Sequence, residues 1–177
     1  MLYVQKFLET HSLIDLEKEH GVYASFSKSK LKFSLNYSQI ESVDSDILAQ
    51  ECRGIILSES SGKIVDPNSV VGKTRVIAFP MKRFFNNGQG SAANIDWSNC
   101  VVMEKLDGTL CIVYFDHFDS KWHIATRSVP EADIPLNDDY TFRKLFEKSL
   151  FSSYGLTFSE FTSKLNANVT YFFELTT

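Results

Sequence analysis

The chain has few cysteines and histidines, and they are spaced wrongly for two common stabilising devices. Its three cysteines, Cys52, Cys100 and Cys111, are odd in number and form no C-x-x-C pair. That excludes a full disulfide framework and a zinc ribbon, and free, mostly buried thiols in a reducing compartment are expected. The four histidines, His11, His20, His117 and His123, show no zinc-ligand spacing, so no residue is assigned to a metal. Long apolar runs are missing too: no stretch reaches the roughly 20 residues that a membrane helix needs. The opening MLYVQKFLETHSLIDLEKEHG is amphipathic and acidic, unlike a signal peptide. A cytoplasmic protein with no membrane partner, most simply a monomer, is expected. Positive charge is not in excess, with 18 Lys and Arg against 22 Asp and Glu and a net charge of −4. Such a balance argues against tight, sequence-independent binding along nucleic acid, while leaving room for a local basic cleft. Internal repeats, low-complexity tracts and linkers are also absent, so residues 1–177 are expected to form one domain.

Apolar residues make up 44% of the chain, including 15 Phe and 7 Tyr, enough to build a real core. The first 20 residues have helical patterning, with Ser12 placed to cap a helix over 13–20 and Gly21 to stop it. VYASF and LKFSLNY alternate as two strands joined by SKSK, and CRGIILS is a buried strand followed by a turn at ESSGK. Strands are expected over 100–106, 110–115 and 121–126, the last pair joined by HFDS. Helices capped by threonine are expected over 141–151 and 157–165, and a strand over 169–175. SVPEADIPLNDDY has the composition of a solvated loop; the acidic run 131–139 lacks the alternating oxygen pattern of a calcium site. Strands dominate without parallel βαβ spacing, which defines an α+β chain with antiparallel sheets.

Lys105-Leu106-Asp107-Gly108 falls between two expected strands. A lysine there can project into a cleft, and Gly108 permits a turn that a Cβ would block. Alone, K-x-D-G arises by chance in a chain this long on the order of a few per cent of the time, and describes an ordinary hairpin with a solvated lysine. Other residues give it meaning. A lysine nucleophile must be neutral, yet a free lysine is deprotonated only to about one part in a thousand near neutral pH. Cationic neighbours lower that barrier, and Arg53, Arg83 and Arg127 are candidates both for this and for binding phosphate. Glu174 is an acid in the apolar string YFFEL, and a carboxylate buried there would need a ligand or an ion pair.

The string M-E-K-L-D-G-T-L (103–110) resembles the active-site motif of the covalent nucleotidyltransferases, which include DNA ligases, RNA ligases and mRNA-capping enzymes. E-C-R-G-I-I-L (51–57) and P-M-K-R-F-F-N (80–86) resemble segments of the ATP-dependent RNA ligases of the T-even bacteriophage type. Downstream, A-T-R-S (125–128) is similar to their short basic motif and Y-F-F-E-L-T-T (171–177) to their ribose-binding strand. The resemblance covers residues 45–177, with the motifs in the family's order.

It implies a nucleotidyltransferase fold, ATP-grasp-like, with antiparallel sheets flanking a nucleotide cleft. Lys105 would attack the α-phosphate of ATP, with Mg2+ on the phosphates, and hold AMP as a phosphoramidate. The protein would then join RNA 5'-phosphate and 3'-hydroxyl ends. Glu104, Asp107 and Gly108 would belong to the nucleoside pocket. Arg53 would lie near the ribose and phosphates, Phe85 would form an aromatic wall, and Glu174 would accept from the ribose hydroxyls. Arg83 stands where the family commonly has lysine, and the adjacent Lys82 leaves open which of the two faces the phosphates. Arg127 stands where the family often has lysine and is followed by Ser128-Val129 rather than Gly-Ser. The family continues past the ribose-binding strand with an Asn-Arg segment, a metal-associated glutamate and a pair of lysines. A domain incomplete at its C-terminus is therefore expected, one that charges itself with AMP poorly. The alternative is a catalytically incomplete chain that binds nucleotide or RNA.

Overall fold

The computed structural model describes residues 1–133, 135 and 140–176. Two helices open the chain, α1 (Tyr3–Leu8) and α2 (Leu13–His20). Ser12 caps α2 by accepting from the Asp15 N–H at 3.1 Å, while the Asp15 carboxylate accepts from the Ser12 N–H at 3.0 Å. This reciprocal pair satisfies two backbone donors that the first turn would otherwise leave orphaned. A four-stranded antiparallel sheet follows in the order β1 (Val22–Phe26), β2 (Lys32–Tyr37), β3 (Arg53–Glu59) and β4 (Thr74–Ala78). The short helix α3 (Ile47–Glu51), capped by Asp46, leads into β3. A second antiparallel sheet has β5 (Thr109–Asp116) at its centre, flanked by β6 (Lys121–Thr126) and β7 (Tyr171–Leu175). Between β6 and β7 run α4 (Phe142–Tyr154) and α5 (Phe158–Thr162), capped by Thr141 and Thr157.

Period-two side-chain alternation explains how these elements stack. On β3, Ile55 and Leu57 face a core shared with α1, α2 and α3, whereas Ile56 faces the second sheet. On β5, Cys111 and Val113 face α4 and α5, whereas Ile112 and Tyr114 meet Ile56, Ala78 and Ala125. The result is four layers: helices, sheet, sheet, helices. Both central strands are buried on two faces, which is why they read as continuous apolar runs. Polar links tie the sheets together at their rims: Lys32 Nζ lies 2.8 Å from Asp116 Oδ2, and the Ser34 hydroxyl donates to the Ser128 carbonyl at 3.0 Å. No helix among the described residues is long and apolar enough to cross a membrane.

The α+β class and the antiparallel sheets match expectation; the strand expected over 100–106 does not form. Residues 100–107 carry no regular structure, and Val101, Val102 and Met103 are more than four-fifths exposed. The apolar run at its start pairs with neither sheet, and both edges of the following strand β5 are taken by β6 and β7. The expected helix over 157–165 is shorter, ending at Thr162, and the connection from β3 to β4 is longer than a tight hairpin. Cys52 and Cys111 are buried, but Cys100 is exposed. The expected acidic loop lies partly outside the described residues, at 134 and 136–139.

Candidate functional site

The two sheets come into direct contact where β3 begins. A β-bulge between Leu35 and Asn36 brings Asn36 opposite Arg53. Gly54 follows with φ +89, and a Cβ there would sit 2.9 Å from Ile112 Cδ1 and 3.2 Å from the Arg127 Cα. Only glycine allows both that backbone angle and that approach. The Arg-Gly pair therefore lays the start of β3 directly against Arg127, just past the end of β6. Arg127 spans the junction: its Nε donates to Asn36 Oδ1 at 2.7 Å and its Nη2 to the Tyr37 carbonyl at 3.4 Å.

Three arginines converge here on aromatic rings. The guanidinium carbons of Arg83 and Arg127 each lie 4.5 Å from the Tyr37 ring centroid, Arg83 lies 4.8 Å from Phe85, and Arg53 lies 4.7 Å from Phe84. Aromatic faces attract cations and hold planar guanidinium groups in a fixed orientation. Arg83 is further fixed by its backbone N–H, which donates to the Gln50 carbonyl at 2.7 Å, and by Asp44, whose Oδ1 lies 2.5 Å from Nη2. Burial, and next the Arg127 charge, push the Arg53 guanidinium below its ordinary pKa; Tyr37 and Glu174 pull the other way. It stays charged at any working pH.

The cluster is electrostatically unfinished. Nη1 of Arg53 and Nη1 of Arg83 are both buried without a hydrogen-bond partner among the described residues. A buried charged donor left unpaired costs more than a neutral one, and here two of them accompany like charges held in close quarters. A phosphate or carboxylate ligand would satisfy both conditions. Beside the cluster, a cavity of about 280 Å3 is lined by Arg83, Phe84, Phe85 and Gln50.

Of the residues expected at the site, Arg53, Arg83, Phe85 and Arg127 gather here, and Glu174 is near enough to influence Arg53. Lys82 faces elsewhere, 3.6 Å from the buried carboxylate of Glu51, which assigns Arg83 to the cluster. Glu174 is exposed rather than buried. Strand alternation explains this: Tyr171, Phe173 and Leu175 turn inward onto α4 and α5, leaving Phe172 and Glu174 on the open face. Glu104, Lys105 and Asp107 lie on the exposed 100–107 segment, and Lys105 Nζ is 4.0 Å from Asp107 Oδ1, both side chains largely solvated. That segment is anchored at Gly108, where a Cβ would fall 2.3 Å from the Leu175 carbonyl oxygen, next to Glu174. Three residues of chain span at most about 11 Å, so Lys105 is tethered close to the end of β7 without packing against the arginines.

Asn36, Tyr37 and Asp44 were not foreseen from the sequence. Tyr37 appears there only as the last residue of an alternating strand, and the pairing that gives it a role spans about 90 residues. The chain matches no family model and no curated protein.

Proposed function

We propose that the chain is the adenylyltransferase portion of an ATP-dependent RNA ligase, with Lys105 as the residue that receives AMP. The observation that carries this is the arginine cluster, whose buried and unpaired Nη1 atoms on Arg53 and Arg83 ask for an anion. Arg53, Arg83 and Arg127 would bind the triphosphate, Phe85 and Tyr37 would wall the site, and Glu174 would accept from ribose hydroxyls. Glu104, Asp107 and Gly108 would shape the nucleoside pocket. In the reaction, the neutral Lys105 amine forms a bond to the α-phosphorus while the bond from that phosphorus to pyrophosphate oxygen breaks. The amine proton passes to solvent. AMP would next pass to an RNA 5'-phosphate, and a 3'-hydroxyl would displace it to seal the strand.

The residues around the cluster fit a polyphosphate better than a metal cage, because Asp44 is already paired with Arg83. Mg2+ is therefore proposed as the companion of ATP, offsetting charge on the departing pyrophosphate, and no residue of this chain is assigned to it. A second reading, nucleotide binding without turnover, draws on Lys105, whose side chain is 78% exposed and paired with Asp107 rather than set among the arginines.

One experiment separates the two. The protein is incubated with ATP and Mg2+, its intact mass is measured, and any adduct is mapped by peptide fragmentation. A single AMP on Lys105 in a minor fraction of the protein, lost in Lys105→Ala and Lys105→Arg while both variants still bind ATP, is the expected result. Saturable ATP binding with no adduct establishes the second reading. An adduct on another residue, or no ATP binding at all, overturns both.

A further inference from the structure

On the opposite rim of the sheet junction, the β5–β6 hairpin holds a second group of polar residues that the proposed reaction does not use. Asp116, Asp119 and His123 each offer a ligand atom, and these atoms all lie within 4.8 Å of one another. The two carboxylates are built alike. Asp116 Oδ1 accepts from the Phe118 N–H at 2.9 Å and Asp119 Oδ1 from the Lys121 N–H at 3.0 Å. In each case one oxygen is fixed by the turn and Oδ2 is presented to its neighbours. Asp119 Oδ2 lies 2.8 Å from His123 Nε2. The His123 ring stacks on Tyr114 at 5.4 Å, and Tyr114 is itself buried, its hydroxyl donating to the Pro130 carbonyl at 2.7 Å. The imidazole is therefore held in place from behind.

Asp116 and Asp119 also line a cavity of about 220 Å3 with Lys32, Glu131 and Ser58. Ser58 is 3% exposed, and its hydroxyl has no hydrogen-bond partner among the described residues. A buried hydroxyl at a cavity wall with nothing to bond is a second, independent sign that the space is shaped for a polar guest. The charges give the sign of that guest. One ammonium, Lys32, faces three carboxylates, and its Nζ lies 2.8 Å from Asp116 and 3.1 Å from Glu131. The cavity keeps two negative charges in excess, and a dication balances them.

We propose that Asp116, Asp119 and His123 form a site for a divalent transition metal of the zinc or cobalt kind. An imidazole nitrogen selects that class over the hard, oxygen-seeking cations. Zinc binds nitrogen and carboxylate oxygen at about 2.0–2.2 Å, which sets neighbouring donors roughly 3.0–3.5 Å apart. The Asp119–His123 pair, hydrogen-bonded at 2.8 Å, needs to open only slightly to reach such a spacing, and Asp119, whose side chain is 42% exposed, can move to close the set. The metal displaces Lys32 from Asp116 Oδ2, and Lys32 keeps Glu131. Lys32 is thus a built-in competitor for the site. The proposal is independent of whether the chain transfers AMP.

The test uses tag-free protein in a Cys100→Ser background, which removes the exposed thiol as a rival ligand. Co2+ is titrated while its visible absorption is followed, and the shift in Tm with Zn2+ is measured. One equivalent of Co2+ with a saturating d–d band and a raised Tm are expected. Asp119→Asn, at a solvated position that tolerates the change, should weaken binding at least tenfold, as should His123→Gln. Lys32→Met should tighten it, because it removes the competing ammonium. Lys105→Ala should bind as the parent does. Absence of a d–d band and of any Tm shift at millimolar metal overturns the site. So does binding that survives unchanged in both Asp119→Asn and His123→Gln.

Discussion

Arg83 and Arg127 come from segments far apart in sequence, yet each rests its guanidinium 4.5 Å from the ring centroid of Tyr37. One aromatic side chain thus sets the spacing of two cations that would otherwise repel. Tyr37 is 7% exposed, so the platform is part of the core as well as of the site. Tyr37→Phe keeps the ring and is expected to hold ATP affinity within about threefold, whereas Tyr37→Ala should lose more than tenfold. Truncating a buried aromatic also costs about 3–5 kcal/mol of stability. Isothermal titration of ATP beside urea denaturation separates the two effects. Equal ATP affinity in the folded Tyr37→Ala protein would remove the ring from the site.

Lys82 and Arg83 are neighbours with opposite duties, and substitution should part them. Lys82→Ala leaves the buried Glu51 carboxylate, which also accepts from the Val4 N–H at 3.1 Å, without its cation. The loss should be about 1–2 kcal/mol, below the range for fully buried pairs because Lys82 is half exposed. AMP labelling should survive. Arg83→Ala should show the reverse, with labelling cut at least tenfold. Loss of labelling in Lys82→Ala with labelling retained in Arg83→Ala would mean that the lysine, not the arginine, serves the phosphates.

Two glycines carry the contact between motifs, and a third is the control. Gly54→Ala combines φ +89 with a Cβ 2.9 Å from Ile112 Cδ1, and Gly108→Ala puts a Cβ 2.3 Å from the Leu175 carbonyl oxygen. Each should destabilise by more than about 2 kcal/mol, Gly54→Ala because strain and overpacking add, and Gly108→Ala because its Cβ would run into backbone. Gly62 has φ +78 with nothing within 4 Å, so Gly62→Ala should cost only the backbone strain, about 1 kcal/mol. Urea denaturation of the three variants supplies the check, and equal losses at all three would deny any special role to the close approaches.

Much of this was legible in the sequence where structure is local. Ser12, Gly21, Thr141 and Thr157 mark helix ends because capping is settled within a few residues. The strands from Val22 to Tyr37 announce themselves by alternation, and β5 by its continuous apolar run. The segment 100–106 misled because a short apolar run states a preference for burial or pairing but not whether a partner strand is in reach. Glu174 misled for a related reason: its apolar neighbours lie on the other face of the strand. At the site, Arg53, Arg83 and Arg127 were visible as motif residues. Tyr37, which organises two of them, was not, because its partners are distant in the chain. The β5–β6 cluster was hidden likewise: its spacing fits no metal motif, and its cavity is completed by Lys32 and Ser58 from the other sheet.

The last prediction concerns acid stability, and it rests on the Lys32–Asp116 pair that clamps the two sheets. Both side chains are nearly buried, at 6% and 7% exposure, and Glu131 adds a second carboxylate to the same ammonium. Burial works against the Asp116 carboxylate, but the Lys32 hydrogen bond, the Phe118 N–H, and the charges of Lys32 and His123 outweigh it and hold its pKa below the ordinary range. A depressed folded-state pKa means the unfolded chain takes up the proton first. The stabilisation is therefore complete above the ordinary aspartate value of about 4 and fades as pH falls below it. Replacing Lys32 by Met leaves Asp116 buried and unpaired, which should cost about 3–5 kcal/mol at neutral pH. That deficit must shrink on acidification, because a protonated Asp116 no longer needs the ammonium. Urea denaturation of both proteins from pH 7 to pH 3 tests this directly. The expected result is a constant gap down to about pH 5 that narrows below pH 4. A gap that persists unchanged to pH 3 would mean that Lys32 stabilises the clamp through a partner other than Asp116, such as the Tyr114 ring 5.4 Å from its ammonium.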